Sequence, residues 1–437
     1  MSALKKGVLF LGDVGALYAA LAFTLLIRYG SDFFGDAFRT HLAPFSVIFL
    51  LWLLILYLAD LYRLASLRSV TATAATLAIA ATVAGVLSVV CFYLFTNFFA
   101  LTPKTNLLIF VAVFFLIDIA WRALTRKWFA AAAENVIVIG ASPRTRELVA
   151  FLEENPHAGY RVAVWIENES SSELRNLTEI ARDAHATAVV VPTAASGANA
   201  DILSAVYQLL PLELAIVSTA DFYELIFERT PLDEVGESWF IENISTRRPF
   251  YDPLKRVVDL ALGSLLFVVF LPFMLVIGLA VATTSPGPVI FPQKRCGKNG
   301  KPFTLYKFRI MVANHDGSPW TVKNDPRFTR VGRFLNFTHL NELPQIVNVV
   351  KGDLSFTGPR PESLELAAQY AKLPYYEMRH VVKPGITGWA QINFQPSTSL
   401  EEASVKLTYD IYYVKNRSIF LDLMIILRTV RYFFLSH

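Results

Sequence analysis

Long apolar runs dominate the first 130 positions of the chain. Four of them approach the roughly 20 residues that a helix needs to cross a bilayer, and they lie at 8–27, 45–61, 73–95 and 107–124. The first run is long, lacks a small-x-small cleavage site and is followed by similar runs, so we interpret it as a retained span rather than a signal peptide. The pattern predicts a four-helix transmembrane bundle over residues 1–130.

Basic residues gather at both ends of this predicted bundle. Lys5 and Lys6 precede the first apolar run, and Arg122 and Arg126 lie at the end of the fourth. Since lysine and arginine concentrate on the cytoplasmic side of a membrane, both ends of the bundle are expected in the cytoplasm.

Two carboxylates lie within the apolar runs, where a charge is expensive. They are Asp13 in the first run and Asp118 in the fourth, and Asp118 precedes Arg122 by one helical turn. Acids in such positions mark either an ion pathway or a paired structural charge. The one-turn spacing favours a structural ion pair.

Residues 131–246 change to short apolar strands that alternate with amphipathic helices. The strand-like runs are NVIVIG, RVAVWI, AVVVP and LELAIVS. This alternation predicts a parallel sheet with helices on its faces, an α/β Rossmann-like domain. Gly140 supplies only the first glycine of a dinucleotide fingerprint, and Glu167 ends the second strand where a ribose-binding acid could lie. A scaffold or oligomerisation role is therefore favoured over nucleotide binding.

A fifth apolar run covers residues 257–283 and is long enough to span a bilayer. Pro272 falls in its middle, where proline removes a helix hydrogen bond and kinks the chain. Both flanks are basic, with Lys255 and Arg256 before the run and Lys294 and Arg295 after it. Hydropathy alone leaves two interpretations open, a spanning helix and a broken helix that enters and leaves on the same side.

Composition supports a membrane protein. The chain is 54% hydrophobic and only 17% charged, against about 25% charged in soluble proteins. The net charge of +4 is too small to suggest nucleic-acid binding, but it suits anionic lipid or phosphate. The two cysteines, Cys91 and Cys296, support neither a disulfide framework nor a zinc site.

The last third of the chain is cationic and rich in turns. Pro359 and Pro361 fix the backbone on both sides of Arg360, which orients a guanidinium toward phosphate or carboxylate. In the stretch THLNELPQ, Pro344 suits the first turn of a helix that Gly352 would end, so Asn341 and Glu342 lie at or just before a helix N-terminus. Such a place suits phosphate chemistry with Mg²⁺.

A simpler interpretation of the same stretch is also open. Thr338 and Asn341 are residue types that cap helices, so they could merely satisfy backbone N–H groups at the helix start while the nearby arginines are solvated.

The order of these motifs strongly resembles the bacterial sugar transferases, the monotopic phosphoglycosyl transferases that act on polyprenol phosphate. The resemblance runs from about residue 250 to the C-terminus. It rests on SPGPVIFPQKRCGKNGKPFTLYKFRIM, NDPRFTRVGRFLNFTHLNELPQIVNVVKGDLSFTGPRPE and VKPGITGWAQIN. The bundle and sheet domain look like the long form of the family, which includes undecaprenyl-phosphate glucose and galactose phosphotransferases.

The resemblance implies a reaction. A sugar 1-phosphate would move from a UDP-sugar to undecaprenyl phosphate, giving an undecaprenyl-diphosphate sugar and UMP, as the first membrane step of exopolysaccharide or O-antigen synthesis. The family aspartate at position 341 is the nucleophile, and Glu342 supports Mg²⁺. The implied substrate-binding residues are Lys307, Arg309, Arg330, Arg333, Pro359, Arg360 and Pro361. A re-entrant helix broken at Pro272 is also implied.

The chain departs from the family pattern at the nucleophile itself. Asn341 stands where the family has aspartate, Asn336 where it has a basic residue, and Ile310 where it has a small hydroxyl residue. An introduced change that arrests turnover or natural divergence would explain Asn341, and three departures around one site favour divergence. A divergent member could use Glu342 as nucleophile, transfer directly or be inactive. The alternative function is a catalytically silent membrane assembly or lipid-binding protein.

The combined prediction has three parts. They are a membrane α-helical bundle (1–130), an α/β Rossmann-like domain (131–246), and a mixed, mainly α monotopic catalytic domain (247–437) with a re-entrant helix at about 254–283. The expected location is the bacterial inner membrane, with the catalytic domain on the cytoplasmic face. The expected partners are the UDP-sugar, undecaprenyl phosphate and membrane lipid, without nucleic acid, and the architecture is compatible with a homodimer.

Overall fold

The computed structural model describes residues 2–59, 61–62, 70–99, 104–131, 133–167, 172–193, 200–284, 286–312, 327–394 and 399–435. The chain forms two compact units, residues 1–222 and 223–437. It is mostly helical, with several long apolar helices and a small parallel sheet.

The first unit begins with the predicted apolar helices. They are α1 (Ser2–Leu58), α2 (Val70–Leu94), the short α3 (Thr96–Phe99) and α4 (Lys104–Ala131). The backbone of α1 leaves helical geometry at Gly30, with φ 71° and ψ 178°. The chain reverses direction there, which brings the hydroxyl of Tyr18 within 2.9 Å of the hydroxyl of Ser46. The second arm is helical from Phe34, which is earlier than the predicted start at residue 45.

The helices are long and apolar enough to cross a bilayer. Within the described residues five stretches meet that criterion: Lys6–Asp32, Phe34–Leu58, Thr73–Leu94, Thr105–Ala131 and Tyr251–Thr284. The first four include the four predicted runs almost entirely. Their facing sides form an apolar core around Trp52, Phe110 and Phe114, while many outward side chains are exposed, as expected for a surface that lipid covers.

The buried acids of this bundle are paired, as the one-turn spacing predicted. Arg122 Nε donates to Asp118 Oδ2 and Arg122 Nη2 donates to Asp13 Oδ2, both at 2.7 Å. Arg122 Nη1 donates to the carbonyl of Leu61 at 2.7 Å. One guanidinium therefore joins two helices and the end of a third segment within the apolar core.

The predicted parallel sheet is confirmed. Its strands are β1 (Glu134–Ile139), β2 (Tyr160–Ile166), β3 (Ala188–Val191) and β4 (Ala215–Ser218), in the order β2-β1-β3-β4 with every neighbouring pair parallel. The intervening helices are α5 (Pro143–Glu154), α6 (Ser172–Arg175), α7 (Leu177–Asp183) and α8 (Ala200–Tyr207), and α9 (Thr219–Phe227) follows β4. The strands bury β-branched residues on both faces, which is typical of a parallel sheet.

The second unit contains α10 (Glu237–Asn243), α11 (Tyr251–Thr284), β5 (Ile290–Cys296), β6 (Pro302–Phe308), α12 (Arg330–Phe337), α13 (Gln345–Lys351), β7 (Ser355–Thr357), α14 (Leu364–Tyr370), β8 (Gly385–Thr387), α15 (Trp389–Asn393), α16 (Leu400–Asn416) and α17 (Ile419–Leu435). β5 and β6 form an antiparallel hairpin, and β7 pairs in parallel with β8.

α11 is the fifth apolar helix, and the same domain contacts both of its halves. Gly263 lies against Val349 of α13, whereas Gly278 lies against Phe308 at the end of β6. Between these contacts the helix carries many exposed apolar side chains, such as Val268 at 68% and Val276 at 70% exposure. The helix contains Pro272 and runs through it without interruption, so the predicted break of the helix at Pro272 is not confirmed.

One buried amide holds α13 against β6. Asn348 Nδ2 donates to the carbonyl of Thr304 at 2.7 Å, and Asn348 Oδ1 accepts from the N–H of Tyr306 at 3.1 Å. Because these bonds fix the helix to the strand, the residues just before α13 lie beside the end of β6.

Candidate functional site

A tight turn places Asn341 and Glu342 inside the domain. α12 ends at Phe337, and His339 reverses the chain with a left-handed φ of 55°. A 3₁₀ turn, Leu340–Glu342, follows, and α13 starts after Pro344 and ends at Gly352, whose φ is 94°. The predicted helix start just after Glu342 is therefore confirmed. A left-handed non-glycine residue is strained, and such strain concentrates at functional sites.

The side chain of Asn341 is buried without a full set of partners. It is 5% exposed, and its Oδ1 accepts no hydrogen bond from any residue that the structure describes. Most buried polar atoms have a partner, so an orphaned amide oxygen needs an explanation such as an absent ligand.

The capping interpretation of this stretch is wrong. α13 has Pro344 at its N-cap and no side-chain capping bond. The hydroxyl of Thr338 instead donates back to the carbonyl of Phe334 in α12 at 2.8 Å. Asn341 and Thr338 therefore leave the start of α13 uncapped.

Glu342 lies between two cations. Its Oε1 accepts a hydrogen bond from Lys307 Nζ at 2.8 Å and lies 3.6 Å from Arg360 Nη2. Burial alone would raise the pKa of the Glu342 carboxyl, but Arg360 and Lys307 outweigh it and lower the pKa to about 2. The group is therefore a carboxylate at neutral pH, in a field that would also attract phosphate.

The Lys307 ammonium experiences the opposite balance. Burial lowers the pKa of Lys307 below its ordinary value, Glu342 raises it, and Arg360 and Arg295 lower it again. The ion pair with Glu342 does not fully offset the desolvation, because two guanidinium groups lie within electrostatic range. A phosphate entering this cluster would relieve that repulsion.

Arg295 belongs to this cluster, although the sequence pattern did not single it out. Its Nη1 donates to the carbonyl of Pro361 at 3.1 Å and its Nη2 to Gln293 Oε1 at 2.7 Å. Burial lowers the pKa of Arg295, and the charge of Arg360 lowers it further. Its place in the basic flank after the fifth apolar run was the only signal in the sequence.

A buried ion pair supports the Pro359–Pro361 turn. Arg379 Nη2 donates to the carbonyl of Arg360 at 2.9 Å and lies 2.7 Å from Asp410 Oδ2. Arg379 Nη1 donates to the hydroxyl of Tyr376 at 3.0 Å. Both charged side chains are 2% exposed. Arg379 therefore fixes the backbone that carries Arg360, and sequence reasoning missed it.

The remaining predicted site residues differ in their exposure to solvent. Arg309, which follows β6, is buried at 6% exposure. Arg330 and Arg333 are exposed on α12, and within the described ranges no hydrogen bond or ion pair joins either of them to Glu342. Lys307, Arg360 and Glu342 are thus brought together, and substrate binding by Arg330 and Arg333 stays a prediction.

The two further departures from the family pattern have different surroundings. Ile310 packs in an apolar cluster with Phe308, Leu335 and Val281. Asn336 is exposed on α12. Asn341 directly precedes Glu342, so it is the departure that adjoins the cationic cluster.

Comparison with known proteins covers this second unit. The profile of a family described as bacterial sugar transferase matches residues 250–436. The exopolysaccharide production protein PSS of Rhizobium leguminosarum bv. phaseoli is 41% identical over 186 residues, which is 40% of this chain and 93% of that protein.

Two longer relatives carry more specific names. The UDP-glucose:undecaprenyl-phosphate glucose-1-phosphate transferase of Klebsiella pneumoniae is 48% identical over 181 residues, 40% of this chain and 39% of that protein. The UDP-N-acetylgalactosamine-undecaprenyl-phosphate N-acetylgalactosaminephosphotransferase of Aeromonas hydrophila is 39% identical over 186 residues, 42% of this chain and 44% of that protein. The chain spans about two fifths of the length of these two relatives. Because nearly the whole of the Rhizobium protein is matched at 41% identity, the chain belongs to the bacterial sugar transferase family.

Proposed function

We propose that the second unit transfers a sugar 1-phosphate from a UDP-sugar to undecaprenyl phosphate at the cytoplasmic face of the bacterial inner membrane. The observation that carries the proposal is the cluster of Glu342, Lys307 and Arg360 beside Asn341, inside the matched region. Two of the relatives are named for this kind of reaction, and the apolar helices suit a lipid acceptor.

The proposed reaction makes and breaks one bond at phosphorus. An oxygen of undecaprenyl phosphate attacks the phosphorus that bears the sugar, and the bond from that phosphorus to the bridging oxygen of UMP breaks. The products are the undecaprenyl-diphosphate sugar and UMP. Two phosphate groups must approach each other closely, and the cationic side chains of Lys307, Arg360 and Arg295 would offset that repulsion.

The donor set is compatible with Mg²⁺. Mg²⁺ usually binds to one or two carboxylates together with substrate phosphates, and the described residues contain no larger group of metal-ligating side chains. Glu342 is an ionised carboxylate, and the orphaned Oδ1 of Asn341 is a second hard oxygen. When bound, Mg²⁺ would neutralise charge on the diphosphate, while Glu342 and Asn341 would hold it.

Asn341 changes the route that the family aspartate would take. An amide is a poor nucleophile, so a covalent phosphosugar on residue 341 is not expected. Glu342 is a weak candidate for that role, because its low pKa reflects strong pairing with Lys307 and Arg360. Direct transfer between the two bound substrates is the route that this arrangement supports.

The second candidate function is a silent membrane protein that binds undecaprenyl phosphate or a partner without turnover. The amide at position 341 is the observation in its favour. The cationic cluster would still bind phosphate, because Lys307, Arg360 and Glu342 are all in place.

One assay separates these functions. The full chain in nanodiscs would be incubated with undecaprenyl phosphate, Mg²⁺ and a panel of UDP-sugars that starts with UDP-glucose and UDP-galactose, and UMP release would be measured. Release by the native chain that is lost in Glu342→Gln supports a transferase in which Glu342 acts as metal ligand or as nucleophile. Release only after Asn341→Asp supports a silent native protein on a competent scaffold.

The controls use matched neighbours. Asn336→Asp adds the same carboxylate on exposed α12, and Glu365→Gln removes an exposed carboxylate on α14. Neither change should alter UMP release. Absence of UMP from the native chain and from Asn341→Asp alike would reject the transferase proposal.

We also propose that α11 is re-entrant. The contacts of Gly263 with Val349 and of Gly278 with Phe308 support this, since one domain contacts both halves of the helix. Cysteines would replace Arg247 and Lys301, two exposed residues on opposite flanks, in a chain without Cys91 and Cys296. Labelling of both from the cytoplasmic side supports re-entry, and labelling from opposite sides supports a span.

For the sheet domain we propose a scaffold role within a Rossmann-like fold, compatible with a homodimer. The N–H of Gly140 donates to the carbonyl of Ile166 at 2.9 Å, and Arg146 lies 3.8 Å from Glu167. The loop and the acid that a dinucleotide would use thus already have protein partners. Thermal unfolding with and without NAD would test the absence of binding, and mass photometry of the full chain would measure its oligomeric state.

A further inference from the structure

A second cationic site lies beside the first two turns of α11. It is a cavity of about 70 Å³, lined on one side by Asp252, Lys255, Arg256 and Asp259 of that helix. Other elements contribute Lys298, Lys383 and Arg417. Five of the lining side chains are basic and two are acidic, so the cavity favours an anion.

Internal pairing cancels only part of this charge. Lys255 lies 2.8 Å from Asp422, and Arg256 donates to the carbonyls of Val349 and Val350 at 2.7 Å each. By contrast, neither Lys298 nor Lys383 forms a hydrogen bond or ion pair with any residue in the described ranges.

The two acids of the lining have backbone partners. Asp252 Oδ2 accepts from the N–H of Arg248 at 3.0 Å, and Asp259 Oδ1 accepts from the N–H of Phe356 at 3.2 Å. These backbone hydrogen bonds stabilise the carboxylates of Asp252 and Asp259 in their positions. Neither carboxylate therefore needs Lys298 or Lys383 as a partner.

Arg417 gives an independent indication of a ligand. It is 2% exposed, and its two terminal nitrogens donate to the carbonyls of Val414 and Ser245 at 2.7 and 2.6 Å. Its Nε is buried and donates to no residue that the structure describes. A buried guanidinium N–H without an acceptor is rare, and a ligand oxygen would satisfy it.

The electrostatics of Lys383 agree with this geometry. Burial lowers the pKa of Lys383, and Arg256 lowers it further, while Asp259 raises it and Lys298 lowers it again. An anion in the cavity would offset both the desolvation and the repulsion from Arg256.

The opposite face of the same helical turns is apolar and exposed. Leu254 is 50% exposed and Val257 63%. Along its first turns, one side of α11 therefore carries the cationic groups of the cavity, and the opposite side carries exposed apolar side chains. A molecule with a phosphate headgroup and acyl chains matches both sides.

The cavity is separate from the cluster around Glu342. Lys298 lies in the turn of the β5–β6 hairpin, whereas Lys307, which binds Glu342, lies near the other end of β6. From Pro302 to Lys307 the strand rises about 17 Å. A phosphate that reacts beside Glu342 cannot occupy the cavity at the same time.

We infer that this cavity binds the phosphate group of an anionic membrane lipid, apart from the phosphates of the transfer reaction. The lipid would hold the N-terminal end of α11 at the membrane surface. The inference does not depend on turnover, so it stands or falls separately from the proposed function.

Native mass spectrometry of the detergent-solubilised full chain tests it. Phosphatidylglycerol, phosphatidylcholine and inorganic phosphate would be added in separate arms, and the bound mass counted for the native chain, Lys298→Gln, Lys383→Gln and the control Lys372→Gln. Each pocket variant should lower phosphatidylglycerol retention about fivefold, since a lysine near an anionic surface contributes on that order. The control should match the native chain. Elution volume and thermal unfolding would verify folding of each variant.

The three separate additions distinguish a lipid headgroup from a soluble phosphate as the ligand. Loss of phosphatidylglycerol in the pocket variants, with phosphatidylcholine unaffected, supports a lipid headgroup. Retention of inorganic phosphate alone, lost in the same variants, would overturn the lipid assignment in favour of a soluble phosphate. Equal phosphatidylglycerol retention by the two pocket variants and the control would overturn the site itself.

Discussion

Lys307 Nζ donates a 2.8 Å hydrogen bond to Glu342 Oε1, although 35 positions separate the two residues along the chain. β6 brings the lysine and the turn before α13 brings the carboxylate, and Asn348 joins these two elements. The amide of Asn341 precedes the carboxylate directly. The pair of Lys307 and Glu342 therefore contributes to the charge of the site. It also fixes the position of Asn341, the residue that departs from the family pattern.

The first prediction concerns the pH dependence of stability at Glu342. The pKa of this carboxyl is lowered in the folded state to about 2, so its stabilising effect is present above its ordinary pKa near 4.5 and is lost as the pH falls toward 2. Glu342→Gln should therefore unfold more easily than the native chain by roughly 2–3 kcal/mol at pH 7, and the difference should shrink at pH 3.

Thermal unfolding in detergent at the two pH values measures this difference. Glu365→Gln, which removes an exposed carboxylate, should show little difference at either pH. A destabilisation by Glu342→Gln that is equally large at pH 3 would mean that the charge of Glu342 is not its cause.

The second prediction concerns the guanidinium of Arg360. Two prolines fix its backbone, and its Nη2 lies 3.6 Å from Glu342. Arg360→Lys keeps the charge but loses the fork that binds two phosphate oxygens together. The dissociation constant for UDP should rise about tenfold, which corresponds to roughly 1.4 kcal/mol. Calorimetric titration of the full chain measures it, and Arg161→Lys in the sheet domain serves as the control. Unchanged affinity in Arg360→Lys would remove Arg360 from the nucleotide site.

The third prediction concerns Arg379 as a positioning residue. It pairs with buried Asp410 and donates to the carbonyl of Arg360. Arg379→Met leaves the Asp410 carboxylate buried without its cation, which should destabilise the domain by about 3–5 kcal/mol. The double variant Arg379→Met, Asp410→Leu should recover stability without restoring the bond to Arg360.

Two measurements separate these effects. Thermal unfolding reports the stability, and UDP titration reports the position of Arg360. The double variant should unfold like the native chain yet bind UDP several-fold more weakly. Native affinity in the double variant would assign Arg379 a purely structural role.

The parts of this architecture that could be predicted are those that depend on patterns among neighbouring residues. The apolar runs, the strand–helix alternation and the Pro344–Gly352 helix signals each depend on neighbouring residues, and each gave the observed element. The early start of the second helix at Phe34 was missed because the polar residues after Gly30 resemble a loop, whereas the turn needs little more than Gly30 itself. Arg295 and Arg379 were missed because the residues that join them to the site, Pro361 and Arg360, lie far away along the chain. A local pattern carries no information on such contacts.

The last prediction concerns the buried triad of the membrane bundle. Arg122 donates to both Asp13 and Asp118, and all three side chains are at most 2% exposed. Arg122→Met would leave two carboxylates buried without a cation, so the bundle should lose about 3–5 kcal/mol of stability. The triple variant Arg122→Met, Asp13→Asn, Asp118→Asn removes the unpaired charges and should recover most of that loss. Thermal unfolding in detergent compares the two, with Arg126→Met as a control on the same helix. If the single and triple variants unfold at the same temperature, the triad has no role as a paired charge and a functional pathway through the bundle becomes the better explanation of its acids.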